Sequence, residues 1–450
     1  MVIGLTACIL AQAAVATAPA ATPSTVAPVA QPEHHADDRL LQAEILITKN
    51  AFDEARKILT ELAQKPYGER ARDNQVQFLL GMLDIHDQDY DSAISRFRRI
   101  LVSEPGAVRV RLEMGRAYYL SGRYSEAERQ FMYARAGKIP KAVRANIDRY
   151  LGAVRQRKTF SYGFAIALAP DTNLNAGPAT NAVTLYGLPF QLSPGAKANS
   201  GVGVMLDTNM EWAPQVGKRA KWRIGAQLHR SQYRQTDFDD MTTSIYTGPR
   251  LTLKRWDLNL LGNFARRWYG DRGYTKAYGP SADATYYVSP RFGVGVGGAV
   301  NRVDYDQNLS QNGLGKTVSL STFYTPTTSS YVRGAITAGW QGARDPAYAF
   351  DSWQFGLAYI REFPGGITAS IAPAFTKLDY DSPLTAFETA TFSGIRRDKQ
   401  YAVQLSLLER RFDFHGLTPR IAYTFIKNDS NISLYTFKRS RFELGLTASF

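Results

Sequence analysis

Arg441-Phe442-Glu443-Leu444-Gly445-Leu446-Thr447-Ala448-Ser449-Phe450 is the stretch that decides the fold. Phe442, Leu444, Leu446, Ala448 and Phe450 share one face of a period-two pattern, while Arg441, Glu443, Thr447 and Ser449 share the other. Period two belongs to a β-strand, whose successive side chains point to opposite sides. A strand with one apolar and one charged face suits lipid outside and a wet lumen inside. The same grammar recurs upstream. Trp222, Ile224, Ala226 and Leu228 alternate with Arg223, Gln227 and His229. Trp353, Phe355, Leu357 and Tyr359 form another such face, as do Tyr401, Val403, Leu405 and Leu407.

Working backwards from that segment, strands are expected near 160–169, 200–212, 220–232, 241–254, 257–268, 276–288, 291–304, 315–325, 330–340, 351–362, 366–378, 397–409, 418–427 and 438–450. That is fourteen strands by the alternation in the sequence, an even number, as a closed antiparallel barrel with both ends on one side needs. Short turns, such as Lys254-Arg255-Trp256, Ser289-Pro290, Thr325-Pro326-Thr327-Thr328 and Pro364-Gly365-Gly366, alternate with longer polar loops. The longer ones are expected near 170–199, 233–240, 269–275, 305–314, 341–350, 379–396 and 428–437. Outer-membrane barrels have short periplasmic turns and long external loops, so this rhythm puts both ends of the barrel in the periplasm. A soluble β-sandwich needs no such rhythm and has to bury one strand face in protein.

Composition agrees. Mean hydropathy is −0.28, and after residue 18 no run of about 18 uncharged apolar residues occurs, which excludes a bundle of spanning helices. Tyr and Phe number 25 and 23, enough to furnish aromatic girdles at both interfaces. Net charge is +14, but no compact Lys/Arg cluster or nucleic-acid module accompanies it, so no nucleic-acid partner is expected. Residues 1–18 read as a signal peptide cleaved after Ala16 or Ala18, without the usual basic start, so the true start is expected upstream. Leu5-Thr6-Ala7-Cys8 offers the alternative of a lipoprotein cleavage box, and Cys8 is the only cysteine, so no disulfide is expected in the mature chain. The Ala/Pro/Thr-rich residues 19–36 read as a linker.

Residues 37–158 follow a helical period. Gly81 and Gly115, Tyr90 and Tyr124, Ala93 and Ala127, and Phe97 and Phe131 each stand 34 positions apart. That is the tetratricopeptide (TPR) period, with small residues where paired helices touch and aromatics between them. Pro105 closes one repeat, and Phe52, Ala55 and Leu59 mark a weaker earlier copy. The expected fold is therefore an α-helical TPR solenoid followed by a fourteen-stranded antiparallel transmembrane β-barrel, with the barrel spanning 159–450. Stacked repeats curve into a concave surface that binds extended partners. Arg70, Arg72, Arg109, Arg111 and Arg116 are candidates to line it; a solvated charged face is the structural alternative.

Chemical motifs are few. Gly313-Leu314-Gly315-Lys316-Thr317 resembles the end of a phosphate loop, but Ser310 stands where its first glycine belongs. Gly293, Gly295, Gly297 and Gly298 lie within a strand pattern, where small residues admit side chains from across a barrel. His34, His35, His86, His229 and His415 show no metal-ligand spacing, so neither metal nor cofactor is expected. His229 with Ser231 is the only adjacent pair suited to a hydrolase, and no enzyme activity is expected.

Two segments carry a family likeness: Ala169-Pro170-Asp171-Thr172-Asn173-Leu174-Asn175, and Thr418-Pro419-Arg420-Ile421 through Asn428-Asp429-Ser430-Asn431-Ile432 to Arg439-Ser440-Arg441-Phe442. With the repeat domain and barrel they resemble the surface lipoprotein assembly modulator (Slam) family, the translocators of type XI secretion. The incomplete leader and short repeat region depart from it. The resemblance implies passage of a surface lipoprotein or related secreted protein across the outer membrane. It implies a repeat domain in the periplasm that receives the cargo or a chaperone, with Arg72, Arg109 and Arg116 as candidate docking residues. Asp171, Asn173, Asn175, Asn428, Ser430, Asn431 and Arg441 are the signature positions. Phe442 and Phe450 resemble the signal read by the barrel-assembly machinery, and outer-membrane lipid is the other expected partner. An exopolysaccharide export porin also joins TPR repeats to a barrel, but would have a larger repeat array and acidic or aromatic lumen groups. A passive diffusion porin leaves the repeat domain without a purpose.

Overall fold

A computed structural model describes residues 38–449 apart from 67, 179, 181, 186–187, 384–393 and 413–416. The expected signal peptide, the linker and Phe450 lie outside the described residues.

Seven helices come first: α1 (Asp38–Thr48), α2 (Phe52–Gln64), α3 (Arg70–His86), α4 (Tyr90–Ser103), α5 (Val108–Leu120), α6 (Tyr124–Arg135) and α7 (Lys141–Arg157). They stack in chain order as three antiparallel pairs with α7 closing the array. The 34-residue period has a direct physical cause. A Cβ placed on Gly81 meets Phe97 at 2.7 Å, and one placed on Gly115 meets Phe131 at 2.9 Å. Each glycine thus lets a phenyl ring press onto the preceding helix, and both rings are buried with Ala93 and Ala127 beside them. The weaker first copy obeys the same rule, with Ala55 and Leu59 fully buried. At the start of α4 the Asp89 carboxylate accepts a hydrogen bond from Ser92 N at 3.1 Å, satisfying an otherwise orphaned helix amide.

Fourteen long strands follow: β1 (Phe160–Asp171), β2 (Gly201–Trp212), β3 (Ala220–Tyr233), β4 (Asp240–Thr252), β5 (Trp256–Tyr269), β6 (Arg272–Ser289), β7 (Phe292–Tyr305), β8 (Gly313–Thr327), β9 (Ser330–Gln341), β10 (Phe350–Glu362), β11 (Ile367–Tyr380), β12 (Arg397–Glu409), β13 (Thr418–Ser430) and β14 (Phe437–Ser449). Each pairs antiparallel with the next, and β1 pairs with β14 from Gly163–Ser449 to Asp171–Arg441, closing the barrel. Closure removes the edges of the barrel sheet, the condition for putting backbone amides in lipid.

Burial is inverted relative to a soluble protein. Leu260, Leu357 and Leu444 are more than half exposed, while Asp257, Arg223 and Glu443 on the opposite parity are buried. The apolar side chains face outwards and the charges line the lumen. Trp222 and Ile224 lie outside and Arg223 inside, as the alternation requires.

Two expectations change. Residues 269–275 do not form a long loop: β5 and β6 run on to a two-residue turn at Gly270-Asp271, with φ of +56° and +57°. Positive φ at both positions matches the right-handed twist of a hairpin. The 170–199 connection contains a small hairpin of its own, Ala182–Leu185 with Leu188–Gln191. The glycine-rich and lysine-bearing motifs at 293–298 and 313–317 lie inside β7 and β8, with no phosphate cradle.

Candidate functional site at the covered periplasmic mouth

The solenoid lies against the periplasmic rim of the barrel. Arg111, on α5, is almost wholly buried, with 1% of its side chain exposed. Its Nε and Nη2 donate to the Pro105 carbonyl at 3.0 and 2.7 Å, and its Nη1 donates to Gln130 Oε1 at 3.0 Å. Nη2 also pairs with the carboxylate of Glu362, the last residue of β10. Arg410, just past β12, stands 3.5 Å from that carboxylate and donates to the Phe363 carbonyl at 2.8 Å. Two guanidiniums therefore converge on one largely buried carboxylate, the arrangement that makes such an ion pair tolerable.

Backbone contacts reinforce it. Gly365 N donates to Val102 O at 2.7 Å, and Thr328 Oγ1 donates to Gly106 O at 3.4 Å. Gly365 and Gly366 both have φ of +89°, the left-handed region that lets this turn fold tightly. Tyr133, on α6, lies under the Arg111 guanidinium, 4.9 Å from ring centroid to carbon. Burial first, then the nearby Glu362 carboxylate, push its phenol up to about 12. Elsewhere around the rim, Lys221 Nζ donates to Lys158 O at 2.6 Å, and Lys158 pairs with Glu128 of α6 at 3.2 Å. A cleft of about 480 Å³ separates Arg135, Lys138 and Arg144 from Ser289, Pro290 and Arg291 of the β6–β7 turn. The solenoid thus touches rim positions beside β3, β8, β10 and β12, spread around the opening.

Arg111 corrects an expectation: it is not a surface residue of the concave face but the core of the contact between the two domains. Among the other arginines, Arg109 stacks on Phe78 at 4.6 Å, Arg116 lies 3.4 Å from Glu113, and Arg72 lies 3.5 Å from Glu69. Arg109 and Arg116 share α5, while Arg72 sits on the first turn of α3. Burial raises the Glu113 carboxyl, and Arg116 opposes the shift. Sequence reasoning missed Glu362, Arg410, Tyr133 and Gly365. One signal was readable: Arg111 precedes Gly115 and Tyr118 by four and seven positions, the spacing of the buried stripe of α5.

The signature residues gather at the opposite, external end. Asp171 is buried and pairs with Arg439 at 2.7 Å, joining β1 to β14. Asn173 Nδ2 donates to Gly177 O at 2.9 Å and Lys438 O at 3.0 Å, and Asn175 Nδ2 donates to Lys197 O at 2.6 Å. Asn428 Nδ2 donates to Tyr435 O at 2.7 Å, Ser430 Oγ accepts from Ile432 N at 3.2 Å, and Asn431 Oδ1 accepts from Arg397 N at 2.7 Å. Arg441 Nε donates to Glu443 at 3.0 Å in the lumen wall. Except for Arg441, these residues fasten external loops to strand ends. Phe442 faces outwards at 43% exposure.

The structure also joins the one hydrolase pair to a carboxylate. His229 Nδ1 lies 2.6 Å from Asp207 Oδ1, and Ser231 Oγ lies 3.3 Å from His229 Nε2. Ser231 is in register with Met205 on one side and Asp240 on the other, so its backbone amide belongs to the ladder. An oxyanion hole needs donors free to face the developing charge, and the Ser231 amide, held in the ladder, is not one. Among the described residues, no group of three His, Cys, Asp or Glu could hold a metal ion.

A closed barrel with an apolar exterior, a charged lumen and a repeat domain across one mouth defines an outer-membrane barrel protein with a periplasmic TPR domain. The family described as "Surface lipoprotein assembly modifier" matches residues 161–450, and "Tetratricopeptide repeat" matches 85–132. The chain belongs to the surface lipoprotein assembly modifier family. It is 21% identical over 378 residues to the surface lipoprotein assembly modifier of Pasteurella multocida, covering 80% of this chain and 73% of that protein. It is 19% identical over 384 residues to the hemophilin secretion modulator of Acinetobacter baumannii, covering 82% and 76%. The Acinetobacter baumannii outer-membrane channel DcaP aligns with a TM-score of 0.38 at 10% identity, over 64% of this chain and 96% of that one.

Proposed function

We propose that this protein delivers a surface lipoprotein, or a related secreted protein, across the outer membrane through its barrel. The observation that carries the reading is the solenoid lying across the periplasmic mouth, where anything entering the lumen meets it first. The names of the relatives from Pasteurella multocida and Acinetobacter baumannii, one for lipoprotein assembly and one for secretion, support the cargo class. In this reading the TPR domain receives the cargo, or a periplasmic chaperone holding it, at the face carrying Arg72, Arg109 and Arg116. The domain then swings off the rim by releasing Glu362 from Arg111, and the cargo enters. The barrel-assembly machinery inserts the barrel, reading Phe442 and Phe450. No nucleotide is at hand in the periplasm, so folding of the cargo outside drives its exit.

The test is surface labelling of a candidate cargo lipoprotein produced in cells carrying the full chain, no chain, or a chain without residues 37–158. Labelling that requires the full chain supports the reading. Labelling that survives deletion of 37–158 overturns the docking role of the solenoid, and labelling without the chain overturns the export role.

A further inference from the structure

The outer surface of the barrel carries a group of lysines that neither the fold nor the proposed export explains. Lys377 on β11 shares its parity with Ile371, and Lys399 on β12 shares its parity with Tyr401 and Leu405. Lys427 on β13 goes with Ile421 and Tyr423, and Lys438 on β14 goes with Phe442 and Leu444. Those apolar partners are 37–55% exposed, so all four lysines point away from the lumen. All four lie near the strand ends opposite the TPR-covered rim, Lys377 and Lys399 in register with Trp353, and Lys427 and Lys438 in register with Phe375 and Tyr401. Phe375 and Tyr401 pack at 5.2 Å, part of an aromatic girdle at the external interface.

Register makes the group unusual. Lys377 stands directly opposite Lys399, and Lys427 directly opposite Lys438. Like charges facing each other across two strands destabilise a sheet. Here two such pairs adjoin on four consecutive strands. The neighbouring carboxylates offset them only in part. Asp379 pairs with Lys377 at 2.6 Å and Asp429 with Lys427 at 2.7 Å, and Asp429 also stands opposite Lys399, while Asp351 stands opposite Asp379 at the edge of the group. Arg397 adds a fifth cation, opposite Asp379. A cleft opens at this place, lined by Lys377, Arg397 and Lys399 together with Asp379, Asp398 and Asp429. Asn431 shapes its wall by accepting from Arg397 N and donating to the Ile395 carbonyl at 2.9 Å.

We infer that this patch binds the phosphorylated headgroup of a glycolipid in the outer leaflet. The lysines sit where lipid headgroups meet the barrel, their surplus charge is positive, and a phosphate between opposed lysines converts a repulsion into two charge-assisted contacts. The inference rests on the outer-membrane placement of the barrel and is independent of what the lumen carries.

The full chain in detergent, freed of lipid, is titrated with bis-phosphorylated lipid A, with the same lipid dephosphorylated, and with inorganic phosphate. The readouts are retained lipid by native mass spectrometry and heat-resistant gel mobility of the barrel. A chain carrying K377Q, K399Q, K427Q and K438Q together is compared. The expected result is retention and thermal protection by bis-phosphorylated lipid A, falling about tenfold or more in the variant. The lipid-free variant should keep wild-type gel mobility or resist heat better, because its repulsions are gone. Equal retention by both chains, equal binding of the dephosphorylated lipid, or full protection by inorganic phosphate alone overturns the assignment. A variant that keeps its lipid A but fails to display lipoprotein also overturns it, and gives the patch to cargo. A variant that loses the folded mobility is replaced by K399Q with K438Q, the two lysines with no carboxylate two positions along their own strand, judged by the same criteria.

Discussion

Replacing Glu362 with Gln should loosen the solenoid from the barrel. The substitution keeps the shape of the side chain and removes the one negative charge between Arg111 and Arg410. Arg111 is 1% exposed and Glu362 11%, so water can do little to compensate. Breaking a buried ion pair by neutralising one partner costs about 3–5 kcal/mol. Arg111 keeps its bonds to Pro105 and Gln130, which places the loss near the lower end. About 3 kcal/mol corresponds to a little over a hundredfold in the docking equilibrium. The Gly365 amide reports this directly, because its hydrogen bond to Val102 O exists only while the domains touch. Hydrogen exchange at 363–366 should therefore speed up by about a hundredfold in E362Q, with the core of α3 and α4 unchanged. Exchange at Gly365 that stays at the wild-type rate would refute the reasoning, since the carboxylate would then not hold the domains together.

Other consequences can be measured separately. Gly81→Ala or Gly115→Ala pushes a methyl group into Phe97 or Phe131 and should destabilise the solenoid by about 1–3 kcal/mol; calorimetry should show the helical transition falling while the barrel transition stays. Glu126 is buried on α6 with Oε2 unpartnered, and burial raises its carboxyl above 4.5. A raised folded value means that the neutral form is favoured, so its contribution is present below 4.5 and lost as pH rises through the raised value. Denaturant titration should show E126Q stabilising the solenoid by about 1 kcal/mol at pH 7, with a smaller gain near pH 4. Tyr133 keeps its proton to about 12 when docked, against 10.0 ordinarily, so docking should weaken as pH rises from 10 to 12, and Y133F should remove that part of the dependence in the exchange assay. Ser231→Ala should leave lipoprotein display at the wild-type level in surface labelling; loss of display would revive the Asp207–His229–Ser231 group as a chemical site.

The barrel was legible because lipid imposes a rule that each strand obeys locally: alternate residues must be apolar. Strand positions near Trp353 or Phe442 needed nothing beyond their neighbours. The 34-residue repeat was legible for the same reason, since one glycine and one phenyl ring per repeat meet in space. Loop lengths were less so, because Gly270-Asp271 forms a tight turn through backbone φ, and the polar residues around it look like a loop. The junction was hidden because its partners are remote. Arg111 and Glu362 are separated by 251 positions, and nothing near either one announces the other. Asp171, Asn173 and Asn431 stood out as a signature, and the contacts explain them as loop fasteners more directly than as a cargo site.

The central claim is that cargo enters the barrel past a displaced solenoid. A Cβ on Gly106 stands 3.8 Å from Thr328 Oγ1, so cysteines at Gly106 and Thr328 can join the solenoid to the rim, and Cys8 is the only native cysteine. The measurement is surface labelling of the candidate cargo lipoprotein in cells carrying G106C with T328C, before and after reduction. Display should stop when the disulfide forms and return when it is reduced, with each single-cysteine chain behaving as wild type. Undiminished display from cells in which the disulfide is shown to be closed would contradict the account.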